Sequence, residues 1–166
     1  MKVLGLAAWS GSGKTTLLGR LIPALVDRGL EVSTVKRAHH DFDVDQPGKD
    51  SHAHRQAGAT EVLVSSARRW ALMHELRGAP ELDLQAILAR LSQVDLVLVE
   101  GFKSAPIAKI EVHRHETGHP LLAPNDPHVI AVASDVPALQ APVPVLDLDD
   151  AGAIAGFVID RLGPFP

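Results

Sequence analysis

Eight residues near the start of the chain, Ala8-Trp9-Ser10-Gly11-Ser12-Gly13-Lys14-Thr15, follow the apolar run Val3-Leu4-Gly5-Leu6-Ala7 and precede Thr16-Leu17-Leu18. Strand, small-residue loop, helix is the order such a segment needs to close around a phosphate chain. Its glycines let successive backbone N–H groups turn inward, Lys14 reaches the outer phosphates, and the Thr15 hydroxyl is placed to ligate Mg²⁺. The pattern usually begins with glycine. Ala8 fits there if the position is ordinary extended backbone and no positive φ is required. A nucleoside triphosphate is the expected ligand, held by Ser10, Gly11, Ser12, Gly13, Lys14, Thr15 and Thr16.

The rest of the chain alternates helical and strand patterns in the way a parallel sheet requires. Leu17, Leu18, Leu21, Ile22 and Leu25 share one face of a helix over 14–28 that Gly29 stops, and Pro23 falls on the opposite, solvent side, where it bends the helix least harmfully. Further strands are expected over 31–36, 61–65, 70–76, 94–99, 109–114, 129–133 and 145–146. Helices are expected over 83–92 and 151–162. Asp50-Ser51 is placed to cap a short helix through Gln56, with Gly58 ending it. Residues 37–50, rich in Asp, His, Pro and Gly, form no regular element. The expectation is an α/β, P-loop NTPase-type fold, a predominantly parallel sheet flanked by helices with an additional β-rich segment, in a single domain over 1–166.

Composition narrows the partners. With 166 residues of which 46% are hydrophobic, the chain can bury one continuous core, and a formal net charge of −4 argues against a nucleic-acid or anionic-membrane surface. There is no cysteine, so thiolate metal sites and disulfides are excluded. No signal-like or membrane-spanning run precedes the first strand, and a cytoplasmic protein is expected.

Several polar residues are candidates for chemistry. Glu100 ends the apolar run 94–99, where open α/β sheets present groups to a ligand, so it can help hold Mg²⁺ or orient a water. Catalytic roles are expected of Lys14 and Glu100. The segment His39-His40-Asp41-Phe42-Asp43-Val44-Asp45-Gln46-Pro47-Gly48-Lys49-Asp50 offers alternating carboxylates suited to ordering around Mg²⁺ and phosphate, with Asp43 preferred as a second metal carboxylate beside Thr15 and Glu100. A solvated acidic loop is the competing explanation. The histidines at 39, 40, 52, 54, 113, 115 and 119 lack a strong transition-metal spacing. Asp135, just past the run 129–133, can accept the paired N–H groups of a guanine, or can cap the turn before Pro137. Trp9 and Trp70 are ring-stacking or core residues, and Arg37 is a phosphate contact or an ion-pair partner.

Taken together, the phosphate loop, the His39 to Ser51 segment, Arg69-Trp70-Ala71-Leu72-Met73, Leu98-Val99-Glu100-Gly101-Phe102-Lys103 and Val129-Ile130-Ala131-Val132-Ala133-Ser134-Asp135 resemble the molybdopterin-guanine dinucleotide biosynthesis adaptor family, MobB. The resemblance implies a GTP-binding P-loop protein that is at most a weak GTPase, forms a homodimer, and assists a guanylyltransferase that joins GMP to molybdopterin. GTP and Mg²⁺ would be its cofactors. A small-molecule kinase and a metal-insertion GTPase are the alternatives, separable by acceptor-dependent turnover and by transition-metal binding.

Overall fold

The structure is a computed structural model that describes residues 1–38 and 42–165. His39, His40 and Asp41, three of the candidates above, lie outside the described residues. The chain divides into two compact units, one of residues 1–37 and 87–166, the other of residues 38–86.

The first unit is a six-stranded, all-parallel sheet in the order β2-β5-β1-β6-β7-β8. Its strands are β1 (Lys2–Ala7), β2 (Val32–Lys36), β5 (Leu96–Glu100), β6 (Lys109–His113), β7 (Val129–Ser134) and β8 (Val145–Asp147). Central strands must be apolar on both faces because helices or loops cover both, and Leu96 to Val99 is buried throughout. Helices α1 (Lys14–Val26) and α4 (Ala151–Leu162) supply Leu17, Leu21, Leu25, Ile154 and Val158 to a core shared with Leu4, Leu6, Leu98 and Ile110. Gly29, at φ 88°, closes α1: its N–H bonds the Val26 carbonyl and the Leu30 N–H bonds the Leu25 carbonyl, which satisfies two end carbonyls. Pro23 is exposed, as its position on the helix wheel requires.

The second unit holds α2 (Asp50–Gln56) and the antiparallel hairpin β3 (Glu61–Ser65) with β4 (Trp70–His74), paired from Glu61 opposite His74 to Ser65 opposite Trp70. This is the additional β-rich segment. Asp50 does not cap α2: Lys49 occupies the capping position, no side chain bonds there, and Asp50 instead opens the first turn, where its charge suits the helix dipole.

The expected helix over 83–92 shrinks to α3 (Leu84–Leu88), which lies across the division between the units. Asp83 Oδ1 caps the Ala86 N–H, but the N–H groups of Arg90 and Leu91 bond three residues back, to Ile87 and Leu88, so the pattern runs out as tight turns. An apolar face at helical spacing was present; the continuous i to i−4 ladder was not.

Candidate phosphate-binding site

The phosphate loop sits between β1 and α1. Gly11 and Gly13 adopt φ of 82° and 86°, left-handed values that a side chain resists, so both glycines are required by the turn. Ala8 is fully buried, and Arg77 is the only described non-glycine residue with positive φ, which is why alanine serves at the first position. Gly13 precedes the first turn of α1, and no side chain caps that end and no acidic residue lies in its first turn. The helix therefore presents its positive pole and free N–H groups to the loop, the arrangement that receives an anion. Ser10, Thr15 and Thr16 are exposed at the mouth, while Ser12 is buried in the turn.

Cations surround this end of the sheet. Burial pushes the Lys14 ammonium below its ordinary pKa; Glu100 raises it, and Lys103 and Lys36 lower it further. A bound polyanion would reverse the repulsive part of that balance. Glu100 ends β5 beside Leu6 of β1 and Lys36 of β2, the expected strand-end position. Its neighbour Gly101, at φ 96°, lies so close to Arg37 that an added Cβ would stand 2.8 Å from the Arg37 Cβ. The Arg37 N–H bonds the Glu100 carbonyl, and its guanidinium lies 5.5 Å from the Phe102 ring centroid. Glycine at 101 is thus what lets Arg37 and Glu100 meet.

Arg114 is a candidate site residue that sequence reasoning missed. Its Nε lies 3.1 Å from where a Cβ on Gly13 would stand, so a guanidinium packs directly on the phosphate loop. The signal was its place just beyond β6, but only the strand order shows that β6 neighbours β1. Arg114 Nη1 also lies 3.5 Å from Asp135 Oδ2, and Asp135 Oδ1 accepts the His115 N–H at 3.0 Å. Asp135 therefore ties together the segments after β6 and β7. The partners described for its carboxylate are thus Arg114 and the His115 N–H, across the sheet end, and not the turn before Pro137.

Asp43 lies in the second unit, where both its oxygens accept from Arg55 Nη2, at 2.7 and 2.9 Å, and one also accepts the Asp45 N–H. A role on a metal requires it to exchange that guanidinium for the cation. Of the other histidines, His113 bonds the Ser134 hydroxyl and His119 stacks on Trp9 at 4.9 Å. Among the described residues no group of three or more His, Asp or Glu side chains is placed to hold a metal ion. A hard cation held partly by phosphate needs fewer protein ligands, and a hydroxyl with a carboxylate, as at Thr15 and Glu100, is a suitable oxygen donor set for Mg²⁺.

Residues 3–135 match the family model for molybdopterin guanine dinucleotide synthesis protein B, MobB. The chain is 53% identical over 161 residues to the molybdopterin-guanine dinucleotide biosynthesis adapter protein of Escherichia coli (strain K12), covering 95% of this chain and 91% of that protein. It is 43% identical over 163 residues to the adapter protein of the same description from Haemophilus influenzae, covering 98% and 90%. Among solved structures, a crystal structure of molybdopterin-guanine biosynthesis protein B superimposes with a TM-score of 0.75 at 29% identity, over 96% of this chain and 99% of that one. The MobB homologue from Bacillus stearothermophilus gives 0.69 at 25%, over 98% of each. Family model, sequence and fold agree, and the chain belongs to the MobB family.

Proposed function

We propose that this protein is a GTP-binding adapter in molybdopterin guanine dinucleotide biosynthesis, assisting a guanylyltransferase that joins GMP to molybdopterin, with hydrolysis of its own GTP at most slow. The observation that carries the nucleotide reading is the uncapped N-terminus of α1, opened to an anion by two left-handed glycines with Lys14 beside it. Loop N–H groups and Lys14 hold the phosphates, and Thr15 and Glu100 hold Mg²⁺. When bound, Mg²⁺ supplies charge neutralisation at the phosphoryl oxygens. Asp135, once released from Arg114, accepts the paired N–H groups of guanine, an edge that adenine lacks.

A homodimer is part of the reading. Leu63, Trp70 and Leu72, which share one face of the hairpin, are 60%, 66% and 48% exposed, an apolar surface that a second copy would cover. No described helix is long and apolar enough to cross a membrane, and a cytosolic location fits the absence of cysteine.

Calorimetry of GTP and ATP with Mg²⁺, with and without a guanylyltransferase of the pathway, tests this function. GTP binds more tightly than ATP, Lys14→Ala weakens GTP by about tenfold or more, and the transferase forms more dinucleotide when the adapter is present. Equal affinity for both nucleotides removes the guanine assignment to Asp135. A transferase indifferent to the adapter removes the functional reading.

A further inference from the structure

Two buried side chains of ionisable type have no part in holding the nucleotide. Lys109 and Glu111, alternate residues of β6, are 2% and 1% exposed and face away from Ile110 and the helix-covered core. Charges taken out of water need close partners. Lys109 Nζ donates to Asp126 Oδ2 at 2.8 Å, and the Glu111 carboxylate accepts the N–H groups of Leu122 and Ala123 at 2.7 and 2.9 Å. All of these partners lie between 122 and 126, so the two charges pin one segment against the sheet.

That segment is one wall of a cavity of about 230 Å³. Facing it are Trp9, from the phosphate loop, and Lys103, three residues beyond Glu100. Trp9 is fixed from two sides: its Nε1 donates to the Pro120 carbonyl at 2.8 Å, and Lys103 Nζ lies 5.0 Å from its ring centroid. Leu121 and Leu122 complete an apolar lining, with Asn125 and Asp126 as the polar groups.

The volume is below the roughly 300–1,000 Å³ of drug-sized sites, room for one fused ring and not for a nucleotide. Asp126 is kept ionised: burial raises its pKa, but the Lys109 and His128 hydrogen bonds outweigh this and leave it lowered. A carboxylate oxygen has two lone pairs, so Asp126 can still accept from a ligand edge bearing adjacent N–H donors. Lys103 suits an anionic arm, and Asn125 supplies both a donor and an acceptor. We propose that this cavity binds a planar, fused 2-amino-4-oxo ring with an anionic substituent, a pterin, beside the nucleotide site. Guanine shares that ring edge, and the inference rests on the phosphate-loop reading, which engages the guanine at Asp135.

The test is calorimetry of the full chain with pterin-6-carboxylate, alone and at saturating GTP with Mg²⁺. One pterin binds per chain, its affinity persists with GTP present, and Lys103→Gln and Asn125→Ala each weaken it by about tenfold. No pterin binding at millimolar concentration, displacement by GTP, or unchanged binding by both variants overturns the proposal; displacement would assign the cavity to guanine. A separate GTP titration distinguishes the two failures. GTP bound without pterin removes the cavity inference alone, and pterin bound without GTP removes the nucleotide reading alone.

Discussion

The two units of the chain are held together by different physics. In the first, β5 buries four consecutive apolar residues and the core draws on both helices. In the second, β3 buries Val62 alone and β4 buries no residue, while Arg55 binds Asp43, Asp45 and Glu75 at 2.7, 3.2 and 2.8 Å. A two-stranded hairpin with so little buried surface is marginal in isolation. The first unit is stabilised by what it hides from water, and the second by charge pairing plus whatever covers its apolar strands. The proposed nucleotide site falls on the first, where rigid strand ends can hold groups in place.

The largest effect expected is in the first core. Leu98 is 1% exposed in a central strand, and Leu98→Ala should cost about 2–5 kcal/mol in a thermal or denaturant melt. A loss near that of an exposed leucine such as Leu63 would erase the contrast between the units.

Next is Gly13→Ala. Its φ of 86° costs an L-residue about 1–2 kcal/mol, and the added methyl meets Arg114 Nε at 3.1 Å. Triphosphate affinity should fall further than stability, because the methyl displaces a cation from the phosphate loop. Calorimetry beside a melt separates the two, and a variant that binds GTP normally would show that Arg114 has no bearing on the site.

Arg55→Met probes the second unit. The Arg55 hydrogen bonds, then the Asp45 N–H, hold the Asp43 carboxyl below its usual pKa; Asp45 is also lowered, burial being outweighed by Ser51, the Gln46 N–H and Arg55. Both folded values lie beneath the unfolded one, near 3.9. Their contribution is therefore complete above about pH 5 and is lost as pH falls through the depressed values. Arg55→Met should raise protease sensitivity within 42–77 at neutral pH and flatten its rise below pH 4, with the first unit's melt little changed. Equal acid sensitivity in variant and parent would mean the pairs do not hold this unit.

How much of this was legible in the sequence follows the same division. The phosphate loop, α1 and the strand ending at Glu100 were readable because local periodicity and glycine placement dictate them. Ala8 was correctly excused from glycine because no positive φ is needed there. Asp50 was misread as a cap because a capping residue type says nothing about where the first turn begins, and 83–92 as a full helix because an apolar face does not ensure a continuous ladder. Arg114, Lys109 and Glu111 depend on strand order and on which face of β6 is covered, and neither is local. Arg55 was invisible for the same reason: its three carboxylates converge only when the loop, α2 and β4 are folded together.

The smallest effect on stability, and the one that most sharpens the comparison, is expected at the hairpin. Trp70 is 66% exposed and pairs with Ser65 at the hairpin's end, so Trp70→Ser removes little buried surface from one chain and should shift a melt of dilute protein by no more than about 0.5 kcal/mol. If a second copy covers that face, the same substitution removes an aromatic anchor and weakens self-association by about tenfold or more, read by sedimentation across a concentration series. A small thermal effect with a large loss of association would mean the second unit derives its apolar burial from a partner chain. Unchanged association would move the dimer contact elsewhere and leave Arg55 and its carboxylates as the main support of the hairpin.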